Sequence, residues 1–371
     1  MSPNLDSSFW QRMGLQEQDR GVFLRAVRDM YPGRRVEKVG EQGYCSFTVV
    51  VAPWVDDCLS RAKQEDQADG AFIVQLRPDQ HALDLYITRD ARKTYGDFAP
   101  RIQGLECALP GRLRAYRMDK MEGVLLSHCQ PRTQRLDEEQ RKKLVNLVES
   151  FATFIACSWP SSQQATYIPR AVRADSPISD TASPLSQCTG KVGGNIIPKL
   201  AKLAHRLPDM ALRALAASTL HRMMALDDYP VTLTHGDLIP SNMLIDQTTW
   251  AITGMVDWAE AEWLPFGTSL YGLEYLLGYM DHAREGCPRW RHYDGSTVLR
   301  ELFWRKLAEL VPELRGRGRI EDVLLARDLG VLLWFGFAWD EGRIDRVVGE
   351  EVDAAEVECL RAFLGVVKEC R

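Results

Sequence analysis

The sequence predicts an α+β protein of two lobes, with strands gathered in the first third of the chain and helices in the remainder. Three observations carry this reading. The chain has 371 residues, enough for two compact bodies of ordinary size. Runs of β-branched and aromatic residues, such as FTVVV (47–51) and AFIVQLRP (71–78), fall before residue 120. Beyond that point the apolar residues recur mainly at helical spacing. The change of period places the expected lobes at residues 1–120 and 121–371.

Taken in order, Val22, Phe23, Ala26, Val27 and Met30 share one face of a helix expected from about Glu17 to Tyr31, which Pro32 and Gly33 end. Gly40 and Gly43 mark a turn before a strand at Phe47–Val51. A second strand, Ala71–Pro78, stops at its proline. A helix is expected around Asp84–Tyr95, and a further strand at Leu113–Met118. In the second lobe Asp137 and Gln140 have capping-box spacing and open a helix with Leu144, Val148, Phe151 and Ile155 on one face. Residues 158–195 are rich in Ser, Thr, Gln, Pro and Gly, and read as a lid, an acceptor-binding insertion or disorder. Residues 198–226 read as helix broken near Pro208. After Pro265 helical patterns dominate, including the apolar run Leu329–Trp339, which is too short to span a bilayer and fits a buried helix.

Composition narrows the function. A net charge of −5 argues against a broad nucleic-acid surface. Nine cysteines without a C-x-x-C pair read as free thiols in a reducing compartment. The opening MSPNLDSSFWQRMG has no apolar signal core. The expectation is a cytoplasmic protein with neither membrane nor nucleic-acid partner.

The chemistry lies in LTHGDLIPSN, Leu233 to Asn242. Apolar segments flank this loop, and a turn at DQTTW leads to a second strand that delivers Asp257 and Trp258. A short hairpin sets Asn242 at the start of one strand beside Asp257 at the end of its partner. Two such oxygen ligands suit magnesium, which takes one or two carboxylates and fills its remaining positions with phosphates and water. Asp237 is then placed to orient a hydroxyl and accept its proton as that hydroxyl attacks phosphorus. Phosphoryl transfer also needs a cationic clamp on the donor phosphates. Arg77, at the end of its strand, is the candidate. In the loop Gly40–Thr48, Gly43 permits close backbone approach to phosphate and Ser46 offers a hydroxyl.

H-G-D-x-x-x-x-N followed by V-D-W resembles the aminoglycoside phosphotransferase and choline kinase group. LTHGDLIPSNMLI, GMVDWAEAEWLPFGTSLYGLEYLLG, EQGYCSFTV and FIVQLRP are most similar to its fungal members. The resemblance runs from about Gly40 to Gly278. It implies a two-lobed protein-kinase-like fold, ATP (or GTP) in the cleft, Asp237 as catalytic base, and Asn242 and Asp257 as magnesium ligands. It further implies that His235 braces the catalytic loop and that Arg117–Met121 forms the hinge. Two departures stand out. The family often carries lysine where this chain has Arg77, and a glutamate usually pairs with that cation. No glutamate occurs between Pro78 and Leu105, leaving Asp84 or Asp90 as substitutes.

The resulting expectation is a kinase that phosphorylates a hydroxyl of a small metabolite. A nucleotide-binding pseudokinase scaffold is the alternative. Glu260, Glu262 and Glu274, near Trp258, Trp263, Tyr271 and Tyr275, form either a pocket for a cationic acceptor or a solvated face with packing aromatics. The acceptor's identity and the oligomeric state are not encoded in any motif.

Overall fold

In β2 (Phe47–Pro53), Phe47, Val49 and Val51 are fully buried while the residues between them are partly exposed. β3 (Phe72–Pro78) buries Phe72, Val74 and Leu76 in the same way. This alternation is what a sheet with one covered face requires. The computed structural model describes residues 9–11, 13–40, 42–54, 70–107, 109, 112–160, 183–282 and 288–367. Most of the stretch 158–195 read as a lid or insertion therefore lies outside the described residues. The chain divides into two compact units, Met1–Glu122 and Gly123–Arg371.

The first unit opens with α1 (Glu17–Met30), followed by β1 (Arg34–Lys38), β2, β3, α2 (Leu85–Tyr95), β4 (Ile102–Leu105) and β5 (Leu113–Asp119). The strands pair antiparallel in the order β1-β2-β3-β5-β4. Phe23 and Val27 of α1 join Phe9, Trp10 and the buried residues of β2 and β3 in one core. Phe23 meets Phe47 edge-on at 5.8 Å between ring centroids, and Tyr31 meets Phe72 at 4.8 Å. The short, mixed strands β1 and β4 were not expected from the sequence. Their residues alternate only weakly, and pairing with β2 and β5 supplies what pattern lacks.

The second unit begins with β6 (Val124–Leu125) and then α3 (Glu138–Ala156), whose N-terminus carries the expected capping box. Gln140 N–H donates to Asp137 Oδ1 at 2.7 Å, and Gln140 Oε1 accepts from Asp137 N–H at 3.1 Å. α4 (Ile196–Arg206) and α5 (Met210–Met224) flank the break at Pro208. Next come β7 (Val231–Thr234), β8 (Met243–Ile245), β9 (Ile252–Met255), β10 (Glu262–Pro265) and α6 (Tyr271–Leu276). β6, β8 and β9 form one small antiparallel sheet, and β7 pairs with β10. α7 (Ser296–Leu310) packs on α3, with Phe151 and Phe303 at 5.9 Å. α8 (Arg319–Phe335), buried along most of its length, contacts α4, α5, α6 and α9 (Ala354–Leu364).

Two features differ from the helical reading of the C-terminal region. Between α6 and α7 the chain forms an antiparallel hairpin, β11 (Gly278–His282) and β12 (Pro288–His292). The apolar run at 329–339 is helical only as far as Phe335, because Phe337 leaves the helix to bridge Val347. Among the described residues no helix is long and apolar enough to cross a membrane.

Candidate active site

The segment between β7 and β8 is held by its own backbone and by His235. The imidazole is fully buried. Its Nε2–H donates to the Val256 carbonyl at 2.8 Å, and its Nδ1 accepts from Asp237 N–H at 3.2 Å. Those two bonds fix a single neutral tautomer. Burial agrees with this, pushing the pKa down to about 4 against the weaker upward pulls of the Val256 carbonyl and Asp257. Trp258 packs against the ring at 4.5 Å between centroids. His235 thus ties the loop to the end of β9 and is sealed from solvent.

Gly236 has φ 78°. A Cβ there would also overlap the carbonyl of Glu260. Position 236 therefore needs glycine for both conformation and space. The next residue, Asp237, presents its side chain to Asn242. Asn242 Nδ2 donates to Asp237 Oδ2 at 2.8 Å and to the Asp237 carbonyl at 3.0 Å. Asp237 Oδ1 is buried and makes no hydrogen bond among the described residues. Burial, followed by the negative field of Asp257, raises the Asp237 pKa to about 7. The Asn242 bond opposes the rise, and Glu260 adds to it.

Asn242 ends a single turn of 3-10 helix directly before β8. Met243 is paired with Met255, and the Asn242 carbonyl accepts from Val256 N–H at 3.0 Å. The hairpin expected from sequence therefore sets Asn242 beside the segment carrying Asp257. Both Asn242 side-chain bonds use Nδ2, which leaves Oδ1 as an acceptor. Asp257 is exposed and adopts a left-handed conformation, φ 61° and ψ 65°, between β9 and the turn starting at Trp258. The hairpin is anchored to α3: Ile252 N–H donates to Ser150 Oγ at 2.9 Å, and Asn146 Nδ2 donates to the Thr249 carbonyl at 3.0 Å.

In the first unit Arg77 is buried, and its Nε donates to Gln75 Oε1 at 2.7 Å. Gln75 Nε2 in turn donates to Thr48 Oγ1 at 3.1 Å. Arg77, Gln75 and Thr48 thus form one polar row on the sheet face opposite Phe72, Val74 and Leu76. Asp84 caps α2, its Oδ1 accepting from the N–H groups of Tyr86 at 2.8 Å and Ile87 at 3.2 Å. In the loop before β2, Ser46 is buried, and a Cβ on Gly43 would stand 2.6 Å from its hydroxyl oxygen. Gln42 braces this loop. Its Nε2 donates to the carbonyls of Val39 and Thr48, and its Oε1 accepts from Thr48 N–H at 2.7 Å. Gln42 was missed in the sequence because nothing in GEQGYCS singles it out.

The acidic–aromatic stretch is mostly internal. The Glu262 carboxylate accepts from the N–H groups of Val192 at 3.0 Å and Gly193 at 2.7 Å. Glu274 is buried with Arg300 and Arg327. Tyr271 is stacked on Trp334 at 4.8 Å. The packing reading holds for these three residues, and Glu260 alone of the three glutamates is exposed.

The sequence matches the Phosphotransferase enzyme family over residues 68–272, more than half of the chain. The chain belongs to this family. Membership makes it a phosphotransferase, and the matched span takes in Arg77, His235, Asp237, Asn242 and Asp257. None of the curated proteins matches. Among solved structures the chain is similar to an aminoglycoside-3'-phosphotransferase of type VIII, at 16% identity over 84% of this chain and 98% of that one, TM-score 0.45. It is similar to a thermostable mutant of aminoglycoside phosphotransferase APH(4)-Ia in ternary complex with AMP-PNP and hygromycin B, at 16% identity over 93% and 98%, TM-score 0.46. It is also similar to aminoglycoside phosphotransferase APH(3'')-Id from Streptomyces rimosus, at 14% identity over 84% and 98%, TM-score 0.41.

Proposed function

We propose that this phosphotransferase moves the terminal phosphoryl group of ATP, or of GTP, to a hydroxyl of a small metabolite. The observation that carries the reading is the Asp237 carboxylate. One oxygen is fixed by Asn242, and the other is buried without a partner among the described residues. A buried acceptor left open in this way is suited to take the hydrogen of an incoming hydroxyl. Asp237 is the base, and His235 holds the backbone that carries it.

Asn242 Oδ1 and the Asp257 carboxylate are the two protein oxygens for magnesium. Among the described residues no group of three His, Cys, Asp or Glu gathers that could hold a metal by itself. This fits a magnesium ion whose other positions are filled by phosphate and water. When bound, the ion would neutralise charge on the donor phosphates. Arg77, with Gly43 and Ser46, is assigned to the same phosphates. The affinity with choline kinase-like and fungal members rests on the quoted motifs, and the cytoplasmic assignment rests on the cysteine pattern of the sequence.

Calorimetric titration with ATP, with and without magnesium, tests the donor site in the wild type and in Asp257→Ala. Magnesium-dependent binding that the variant loses is expected. Binding indifferent to both favours a nucleotide-binding scaffold. Asp237→Asn should then lower transfer to hydroxylated metabolites by about 10²–10⁴-fold with nucleotide affinity intact. An equal loss of affinity would refute its role as base.

A further inference from the structure

The three backbone N–H groups from Asp237 to Ile239 each have a partner, and one partner comes from outside the loop. Asp237 N–H donates to His235 Nδ1, and Ile239 N–H donates to the Asp237 carbonyl at 3.1 Å. Leu238 N–H donates to the phenolic oxygen of Tyr271 at 3.0 Å. Tyr271 is the first residue of α6 and is buried. Its ring lies 9° from the plane of Trp334 and meets Phe335 edge-on at 6.4 Å. Gly272, the next residue, has no side chain to hold the loop off. A Cβ there would stand 2.9 Å from Leu238 Cβ and 3.1 Å from the Leu238 carbonyl oxygen. The start of α6 therefore touches the residue after Asp237 through a hydrogen bond and through close backbone packing.

The geometry points to Tyr271 as a positioning residue for phosphoryl transfer: its hydroxyl, on a ring stacked against Trp334, fixes the Leu238 amide and through it the direction of the Asp237 carboxylate. This rests on the proposed role of Asp237. Nothing in the family match assigns a function to Tyr271. α6 is itself secured one turn further on, where Glu274 binds Arg300 and Arg327. The support runs from α7 and α8 through α6 to the loop. His235 ties one side of the loop to the end of β9, and Tyr271 ties the residue after Asp237 to α6, so the two anchors together set the angle of the loop to the rest of the unit. Catalysis is sensitive to that angle, since a misplacement of about 1 Å costs on the order of a hundredfold in rate.

Tyr271→Phe tests this, because it removes one oxygen and leaves the ring to stack on Trp334. With no acceptor identified, the rate is read as hydrolysis of magnesium ATP by water. The variant should lose about 10- to 100-fold in kcat. Its ATP dissociation constant should stay within about twofold of wild type, because the change acts on orientation and leaves the nucleotide contacts alone. Adding Tyr271→Phe to Asp237→Asn should cause no further loss, because the phenol acts through Asp237. Hydrogen exchange at the Leu238 amide should speed up at least tenfold in the single variant. Unchanged hydrolysis in Tyr271→Phe, beside a clear loss in Asp237→Asn, would overturn this inference and leave the proposed function standing. So would a loss that simply multiplies with that of Asp237→Asn. Wild-type hydrolysis no faster than that of Asp237→Asn would overturn both.

Discussion

Replacing Glu274 with glutamine should destabilise the second unit by about 3 kcal/mol. The side chain is 1% exposed and accepts three N–H bonds: from Arg300 at 2.5 and 2.8 Å, and from Arg327 at 2.5 Å. At about 1.5–3 kcal/mol for each bond to a charged group, the set would reach roughly 5–9 kcal/mol if the terms added. Two features reduce this. The Arg300 side chain is 34% exposed and can be rehydrated. Arg327, 13% exposed, keeps Asp328 at 2.7 Å and the Phe363 carbonyl at 2.6 Å. What remains is a buried guanidinium facing a neutral amide, the situation that costs about 3–5 kcal/mol when one partner of a buried pair is removed. Glutamine keeps one acceptor oxygen, which favours the lower end. Urea denaturation at pH 7 measures the loss as a shift in midpoint at unchanged m. Arg327→Met completes a double-mutant cycle, with a coupling of about 2 kcal/mol expected. Burial alone would raise the Glu274 pKa, but Arg300 and Arg327 outweigh it and hold the group below its ordinary value of 4.5. The contribution is thus present above pH 4.5 and lost as pH falls through the depressed pKa, where the gap between wild type and variant should close. A loss below about 1 kcal/mol, or additive single variants, would refute the network.

Two further outcomes are expected. His235 is held neutral with a pKa of about 4 against an ordinary 6.5, so its contribution falls as pH drops from 6.5 to 4, by roughly 3 kcal/mol. Asp237, raised from 3.8 to about 7, has the opposite sign and gains stability over the same descent. Asp237→Asn should therefore steepen the acid loss in a plot of Tm against pH recorded in chelator, and a profile unchanged from wild type would contradict the Asp237 assignment. Gly236→Ala combines a left-handed backbone with an overlap at the Glu260 carbonyl, and should lower stability by about 2 kcal/mol or more, read as a drop in Tm with loss of transfer.

Local signals made much of this molecule legible. The capping pair Asp137 and Gln140 opens α3 because its chemistry spans three residues. β2, β3 and β5 could be read from side-chain character alone. The placement of Asn242 beside the segment carrying Asp257 could be read because a short hairpin fixes it. Features that depend on distant partners were not legible. β11 and β12 each contain only five residues, and their pairing, which registers Tyr279 against Arg291, is not announced by the pattern of either segment. Glu274 finds Arg300 and Arg327 across 26 and 53 positions. Tyr271 reaches back 33 positions to Leu238, so it looked like one aromatic among several.

The Asn242 side chain has a direction. Its nitrogen end is spent on Asp237, and its oxygen end faces away from that bond. It works as a polarity adaptor, a donor toward Asp237 at one end and an acceptor at the other. Aspartate has nearly the same shape but two identical ends. At position 242 it would face Asp237 Oδ2 across the 2.8 Å now closed by the amide N–H. Two carboxylates that close cannot both stay ionised, so the pair would hold a shared proton more tightly than Asp237 holds one beside the amide. A substitution that is conservative in outline would thus change the proton inventory of the loop, whereas the amide at this position opposes the upward pull of burial and Asp257 on the Asp237 carboxyl.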